Sequence, residues 1–277
     1  MGTGTVSGEI RPPGEELHWK TAISKVRSGK IVIRGYNLTD LIGRITFSDM
    51  LWLVTMGELP SPEVARVMDA LLVSAVEAGA QSPCVLTART VASCGAPITT
   101  AMAAGALSIS KYHGGAVEGA MRQWLALRDE VRSGSSSVEE ACRLAVEARL
   151  VRGERLEGFG SRVQKEIDPR FEKLFQITRE AGFGGGYLDL ALAVERALEA
   201  KTGKRLPLNI DGAYAAILCE LGFQPALANA LFLLSRSVGV MAHAREEQAR
   251  MRPRRYIHPI DWEYDGPGER HLEDRKK

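Results

Sequence analysis

Tyr112-His113-Gly114-Gly115-Ala116-Val117-Glu118 is the most informative stretch of the chain, because a histidine and two glycines separate two long segments of small residues. The flanking segments, Thr99 to Ile109 and Gly115 to Val131, carry helical patterns. A single histidine beside apolar helices is commonly a core residue. Gly-Gly in the first turn of an ordinary core helix lowers its stability, however, so the pair favours a functional role. We predict that His113 lies ahead of a helix start and donates a hydrogen bond to an anion on a bound substrate.

Most of the remaining chain is patterned as helices. Ser61-Pro62-Glu63 combines a hydroxyl cap, a first-turn proline and an early acid, which predicts a helix start. Lys30 to Tyr36 alternates like a short strand, and no alternation of strands with helices follows. With 277 residues, 45% of them hydrophobic, the chain can bury a full core. We predict an all-α fold of two lobes with a minor β element near the start. Further helices are predicted over 41–56, 87–94, 138–150, 169–178, 188–200, 209–222 and 226–248.

Charge and cysteine content argue against several classes of function. The formal net charge of +2 gives no electrostatic signature of nucleic-acid binding. The cysteines have neither CxxC spacing nor histidines at metal-ligand spacing, so we expect no disulfide, no metal and a reduced, cytoplasmic setting. The chain does not open with a charged start and an apolar run, and the apolar segment 226–234 is too short to cross a bilayer. We therefore expect neither a secretory signal nor a membrane partner.

Asp211, within Asn209-Ile210-Asp211-Gly212, is a candidate catalytic carboxylate. One interpretation makes Asn209 or Asp211 the cap of the helix that begins here. The other makes Asp211 a general base in a mostly apolar pocket, where poor solvation raises its basicity. The residues alone leave both interpretations open.

A glycine loop and several arginines are candidate ligand contacts. The glycines of Gly158-Phe159-Gly160-Ser161-Arg162 let the backbone approach a ligand, and the forked guanidiniums of Arg162 and Arg170 suit carboxylates. The alternative is a flexible loop with two solvated arginines. Arg236 lies in an otherwise apolar helix, where a buried guanidinium needs an anionic partner from the protein or from a substrate.

Five motifs, in their order along the chain, together resemble the citrate synthase superfamily. Each motif alone is common, but the ordered set is specific and extends from about Ile23 to Tyr256. Within the superfamily the chain is most similar to citryl-CoA lyases and to the citrate-synthase-like module of ATP-citrate lyase. The motifs are His113-Gly114-Gly115-Ala116, Gly158-Phe159-Gly160-x-Arg162, Asp168-Pro169-Arg170, Asn209-Ile210-Asp211-Gly212 and Ser235-Arg236-x-x-Gly239.

The resemblance implies a citrate synthase-like fold and a homodimer. Residues 1–114 and 216–277 would form a large helical domain that dimerises, and residues 115–215 an inserted small domain that closes over CoA and substrate. The sites would lie in the clefts between the domains. The ligands implied are an acyl-CoA and a small di- or tricarboxylate, with the CoA ester as substrate and no metal.

The resemblance also assigns roles within the site. Asp211 would take the α-proton of an acyl-CoA and His113 would donate to the resulting enolate oxygen. The carboxylates of oxaloacetate or the citryl portion would be bound by Arg170, Arg236 and Arg162. Arg254, or Arg252 two residues before it, would reach the partner subunit's site. CoA would border a loop that includes Arg155, Gly158, Phe159 and Gly160. The implied reaction makes or cleaves a carbon–carbon bond beside the thioester, giving acetyl-CoA and oxaloacetate or related products.

Two positions depart from the family pattern. Ser161 stands where the family's glycine loop carries a histidine that handles the substrate hydroxyl or keto oxygen, and we assign Ser161 to the catalytic set in its place. Ala78 stands where relatives carry a histidine that contacts the carboxylic substrate. Three interpretations follow: a weakened citryl-CoA lyase, a lyase or synthase for a different 3-hydroxyacyl-CoA, and a noncatalytic CoA-binding or subunit-interaction protein.

Overall fold

A computed structural model describes residues 20–133, 137–160 and 168–272 of the chain. Contacts between its backbone positions divide it into two compact units, the first ending at Ala65 and the second beginning at Arg66. Apart from three short strands the described elements are helical, which confirms the predicted all-α class. The predicted inserted domain over residues 115–215 stays a prediction.

The first unit holds the minor β element. Strands β1 (Ser24–Arg27), β2 (Lys30–Ile33) and β3 (Tyr36–Asn37) form an antiparallel sheet in that order, followed by helices α1 (Leu38–Leu41) and α2 (Phe47–Met56). The helix expected over 41–56 therefore begins later than predicted, at Phe47, and α1 ends at Leu41, where the predicted helix begins. Gly43, at φ +77°, lies between α1 and α2, and a capping box between Thr46 and Asp49 begins α2.

The second unit is a helical assembly joined to the first within α3. Its helices are α3 (Pro62–Ala75), α4 (Pro83–Ser93), α5 (Ile98–Leu107), α6 (Ala116–Ser133), α7 (Val138–Val151), α8 (Pro169–Glu180), α9 (Tyr187–Thr202), α10 (Ile210–Glu220) and α11 (Pro225–Arg250), with a final 3-10 turn at Pro259–Asp261. Helix α4 begins four residues before the predicted Thr87, because Ser82 and Pro83 provide a helix start that the apolar pattern does not mark.

Helix α10 forms the centre of this unit. Every residue from Gly212 to Cys219 is buried, and α10 packs against α6, α8 and α9. Helix α11 packs against α4, α5 and α6. Small residues let these helices approach closely: at Gly105 of α5 an added Cβ would lie 2.8 Å from the Val240 side chain. The first turn of α10 is thereby held on a tightly packed support.

Helix α11 is the one helix of the described residues that is long and apolar enough to span a membrane. This property rests on the length and composition of the helix alone, and a buried core helix meets the same criteria. Packing against three helices buries part of the apolar surface of α11, including Leu231, Phe232 and Val240, and it also buries Arg236 within the helix.

Candidate active site

Asp211 lies in the first turn of α10, and Asn209 caps that helix. The Asn209 Oδ1 accepts hydrogen bonds from the backbone N–H groups of Asp211 and Gly212, at 3.0 and 3.1 Å. Of the two capping candidates, Asn209 therefore caps the helix. The Asp211 carboxyl makes no capping hydrogen bond. Burial raises the pKa of this carboxyl, against the lowering influence of Arg170, Arg236 and His113. Asp211 thus holds its proton more firmly than an ordinary aspartate, although three potentially cationic groups lie close enough to influence it.

The glycine loop packs directly against the start of α10. Gly160 N donates to Pro207 O at 2.8 Å and Asn209 N donates to Gly158 O at 2.9 Å, which pairs the two segments like a fragment of sheet. Gly158 adopts φ +87°, and a Cβ there would lie 2.6 Å from the Gly212 Cα. No other residue fits without movement of the backbone. The loop and the Asp211 turn are therefore one structural unit.

His113 sits in a tight turn ahead of α6. Its backbone N–H and C=O both bond to Ser110, each at 2.8 Å. Gly114 has φ +71°, and a Cβ on it would lie 2.8 Å from the Phe232 ring, while a Cβ on Gly115 would lie 2.6 Å from Ser110 O. The glycines allow the turn to pack against α11 and to fold back on itself. Nε2 of the half-buried His113 ring accepts the backbone N–H of Cys84 at 3.4 Å, which leaves Nδ1 to carry the proton and act as a donor.

Arg236 is a buried cation with neutral partners. The side chain donates from Nε to Ala75 O at 2.7 Å and from Nη1 to Ser82 Oγ at 3.5 Å, and its guanidinium stacks 4.9 Å from the Phe232 ring centroid. Only 3% of the residue is exposed, and no carboxylate forms an ion pair with it among residues 20–133, 137–160 and 168–272. A guanidinium so poorly solvated favours binding of an external anion.

Arg170 has a different arrangement, because it is already paired. Asp168 caps α8 and also accepts from Arg170 Nε at 3.0 Å and Nη2 at 2.6 Å. Burial alone would raise the pKa of the Asp168 carboxyl, but the hydrogen bonds and charge of Arg170 lower it below its usual value. The pair orients Arg170 and leaves Nη1 for a further acceptor.

Cys84 and Ser82 are members of this site that the sequence analysis did not single out. The Ser82 hydroxyl lies 3.5 Å from the Cys84 thiol, and burial, which by itself raises the pKa of that thiol, is outweighed by His113, Ser82 and Arg236, so that the pKa falls to about 7. These contacts join Cys84 to His113 and Arg236, which are 29 and 152 residues away from it in the chain. The local signal available in sequence was a cysteine directly after the Ser-Pro start of α4.

The loop at Ala78, where the family pattern changes, is organised by Glu77. The Glu77 carboxylate accepts the backbone N–H groups of Ala78 and Gly79 and lies 3.2 Å from Nε2 of His243. Burial tends to raise the pKa of Glu77, and the Gly79 N–H and His243 together lower it. An added Cβ on Gly239 would collide with this loop. The loop is thus built around a carboxylate and a histidine of α11.

The other predicted site residues lie elsewhere or outside the described residues. Ser161 and Arg162 fall in the stretch 161–167, which is outside the described residues. Arg155 is exposed. Arg254 is far along the C-terminal segment, where its N–H donates to Ser93 O at 2.7 Å and its φ is +61°. A cavity of about 390 Å³ lies beside it, lined in part by Cys94, Glu247 and Arg252.

An all-α fold in which one buried carboxyl lies within electrostatic reach of an imidazole and two guanidiniums has the composition of a site for an anionic, carboxylate-bearing ligand. No cluster of three metal-ligating side chains occurs in the part of the chain that the structure describes. A sequence profile described as citrate synthase, C-terminal domain, matches residues 58–259, and the chain belongs to this family.

Known relatives agree with that assignment. The solved structure of citryl-CoA lyase from Hydrogenobacter thermophilus is 37% identical, with a TM-score of 0.83 over 94% of this chain and 99% of that one. The ATP citrate lyase of Methanosaeta concilii, solved as a D541A mutant with (3S)-citryl-CoA, shares the fold at 22% identity and a TM-score of 0.76, over 97% of this chain and 44% of that one. The citrate synthase of Haloferax volcanii is 29% identical over 77% of this chain and 56% of its own length. The chain spans about half the length of the citrate synthases that it matches.

Proposed function

We propose that the protein is a citryl-CoA lyase-like enzyme that makes or cleaves a carbon–carbon bond beside a CoA thioester through an enolate. The observation that carries the proposal is the grouping of His113, Arg170 and Arg236 around the carboxyl of Asp211. The likeness to a citryl-CoA lyase along almost the whole of both chains supports the same reaction.

The chemistry follows from the protonation states of the two central groups. In cleavage, the bond between the α-carbon and the hydroxyl-bearing carbon breaks and its electron pair becomes the enolate of acetyl-CoA, while oxaloacetate is released. The Nδ1–H of His113 donates to the enolate oxygen. Asp211, whose raised pKa lets it retain a proton, gives that proton to the α-carbon. In condensation the same carboxylate removes it. The proton of the substrate hydroxyl leaves to water as that hydroxyl becomes the keto group, and Ser161 is proposed to relay it.

The two arginines would hold the carboxylates of the citryl portion in different ways. Arg236, without a carboxylate partner among the described residues, supplies a buried guanidinium, and Arg170, oriented by Asp168, supplies its remaining Nη1 donors. Arg162 is proposed as a third ligand. The Gly158–Gly160 backbone and Arg155 would border CoA, and the thioester would then lie beside Asp211.

Proton exchange tests the enolisation directly. The α-protons of acetyl-CoA are expected to exchange with heavy water in the presence of the wild type, and the rate is expected to fall about 100-fold or more in Asp211→Asn, as for loss of a general base. Nuclear magnetic resonance of the acetyl group measures the rate. Exchange that is absent in the wild type, or unchanged in Asp211→Asn, would refute the proposal.

We further propose a cytoplasmic homodimer in which Arg254 of each subunit reaches the partner's site. Mixing Asp211→Asn with Arg254→Ala subunits tests this arrangement, because a heterodimer then has one site in which both residues are intact. Half of randomly mixed dimers are heterodimers with one of two sites complete, so recovery of about a quarter of wild-type activity is expected. Recovery of none, with both variants dimeric by ultracentrifugation and each inactive alone, would place Arg254 in its own subunit's site. An Arg254→Ala variant that is active alone would place Arg254 outside both sites.

A lyase or synthase for a different 3-hydroxyacyl-CoA is the second candidate, and the Ala78 loop favours it. Ala78 donates its backbone N–H to Glu77, and its methyl side chain has no polar group that could bind a carboxylate. Ala78→His and Ser161→His variants distinguish the candidates. If citryl-CoA cleavage appears in the double variant and is absent from the wild type, the natural substrate is a different ester. A noncatalytic, CoA-binding or subunit-interaction relative would show no exchange in any variant.

A further inference from the structure

Trp124 of α6 packs against both the glycine loop and the turn that carries Asp211, although the proposed reaction does not use it. The side chain is fully buried. Its indole N–H donates to the Gly212 carbonyl, in the first turn of α10, at 3.3 Å. Its ring packs edge-on against Phe159, with 5.7 Å between the ring centroids and 82° between the ring planes. One side chain therefore joins two segments of the candidate site.

Neighbouring residues of α6 contact the same loop. Gln123 donates from Nε2 to the Glu157 carbonyl at 3.4 Å. An added Cβ on Gly158 would lie 3.6 Å from the Ala120 Cβ, which is van der Waals distance, so helix and loop are in contact here as well. Ala120, Gln123 and Trp124 follow the three- and four-residue spacing of one helix face. This face of α6 therefore supports the glycine loop.

Helix α6 also connects Trp124 to His113. The helix begins at Ala116, directly after the turn that carries His113, and Trp124 lies about two turns further along it. The two groups of the enolisation step are thereby attached to one helix. His113 precedes the start of that helix, and the Asp211 turn is bonded to it through the contact between Trp124 and Gly212.

The indole N–H distinguishes this position from an ordinary core position. A buried donor costs free energy unless it finds an acceptor, so a site that required only volume and an aromatic surface would be served equally well by phenylalanine. The acceptor that Trp124 finds belongs to the residue after Asp211. A carbonyl oxygen has two lone pairs, so this bond is compatible with the backbone hydrogen bonding of α10. The donor therefore restrains the Asp211 turn from the side of α6.

We propose that Trp124 is a positioning residue that holds the Asp211 carboxyl in place relative to His113 and to the glycine loop. The inference rests on the proposed enolisation, in which the base and the enolate donor act on the same acetyl group. Trp124 is fully buried, so it acts through the Asp211 turn and not by contact with the substrate. Its effect is therefore on the rate at which bound acetyl-CoA loses its α-proton, and not on the binding of acetyl-CoA.

Two replacements of Trp124 test the role of the donor. Trp124→Phe keeps an aromatic surface for Phe159 and loses the bond to Gly212. We expect the saturating rate of α-proton exchange to fall about tenfold, because the base is less well aligned, while the KM for acetyl-CoA stays within about twofold. Replacement of Trp124 by 3-benzothienylalanine, which has the shape of tryptophan but sulfur in place of the N–H, is expected to give the same loss without opening a cavity.

Phe175→Leu is the matched control. Phe175 is buried in α8 and packs edge-on against Phe171 at 5.5 Å, a contact of the same kind that includes no residue of the glycine loop or of α10. We expect a lower Tm and an unaltered exchange rate. An equal fall in exchange in Phe175→Leu would assign the effect to core stability and overturn the inference. A wild-type saturating rate in both replacements of Trp124, or a loss confined to KM, would overturn it too.

The indole N–H also provides a measurement that needs no activity. Its nuclear magnetic resonance signal, identified by its absence in Trp124→Phe, is expected to be replaced by deuterium slowly, because the N–H is buried and hydrogen-bonded. Immediate replacement would show that the bond to Gly212 is absent. If the wild type exchanges no α-protons of acetyl-CoA, the proposed function fails and the role of Trp124 in it fails as well. If the wild type and Trp124→Phe exchange them equally fast, the proposed function stands and the positioning role is wrong.

Discussion

The two sides of the candidate site differ in how they are built. On the enolate side, Asp211, His113 and the Gly158–Gly160 loop lie in segments that are fixed by backbone contacts. On the other side, around Ala78, a loop is held by the Glu77 carboxylate and His243 instead of offering a histidine to the substrate. If the proposed function holds, the comparison favours retained anion-stabilising chemistry on the enolate side and altered recognition of the second product around Ala78.

The strongest test of the enolate side is Gly158→Ala. The added Cβ would lie 2.6 Å from Gly212 Cα, so the turn that carries Asp211 must shift. A misplacement of about 1 Å commonly costs about 100-fold in rate, and we expect that loss in α-proton exchange. Gly203→Ala is the matched control, because Gly203 also has a positive φ, at +64°, but has open space around it. Equal losses in both variants would mean that backbone strain, and not the contact, is responsible.

Arg236→Lys tests the carboxylate-binding side. Lysine keeps the charge but lacks the fork that bonds to Ala75 O and stacks on Phe232. We expect the KM for citryl-CoA to rise about 30-fold, equivalent to about 2 kcal/mol, while acetyl-CoA exchange stays within its original order of magnitude. Steady-state kinetics measure the first and deuterium incorporation the second. The control is Arg179→Lys in the exposed pair with Asp189. A parallel fall in exchange would show that the two sides are not separable.

Asp211→Asn should stabilise the fold while it slows α-proton exchange. The folded state binds the Asp211 proton more tightly than the unfolded chain does, so the free energy of unfolding falls as pH rises from the unfolded pKa through the raised folded pKa. The asparagine amide does not ionise, so the free energy of unfolding of the variant does not fall in this way. We expect the Tm at neutral pH to rise by about 2–4 °C for each kcal/mol recovered, and the difference from wild type to disappear in acid. Scanning calorimetry at several pH values measures it, and an equal or lower Tm at neutral pH would show that the carboxylate is well solvated.

The smallest effect is expected from Glu77→Gln. Glutamine keeps an oxygen for the Ala78 and Gly79 N–H groups and loses only the charge facing His243. Because the pair is partly exposed, the change in unfolding free energy is expected to stay within about 1 kcal/mol, with exchange unaltered. Thermal unfolding and the exchange rate provide the measurements. A tenfold fall in the exchange rate would show that the Ala78 loop contributes to enolate formation.

Sequence sufficed where local chemistry determines structure. Proline and hydroxyl caps place the starts of α3 and α8 close to their observed positions, and the apolar pattern places α11. The two capping candidates at α10 could not be separated in sequence, because Asn and Asp cap equally well and only the contact of Asn209 with both N–H groups decides between them.

Contacts between distant parts of the chain escaped prediction. Cys84 gave no metal or disulfide pattern, and its meeting with His113 and Arg236 depends on how α4, α6 and α11 pack. The pairing of Arg170 with Asp168 is local, but which Arg236 atoms remain for a ligand is decided by Ala75 and Ser82, about 160 and 154 residues away. A motif identifies the residue types in a site, whereas tertiary packing determines which of their donor and acceptor atoms remain available to a ligand.

The contact between Gly158 and Gly212 also limits how this chain can change over generations. An added Cβ on either residue would strike the backbone of the other, so neither position can relax while its neighbour stays as it is. A library that randomises both codons and is selected for activity should return glycine at both. Such a result would show that each glycine constrains the other, whereas Ala78 lies outside this contact.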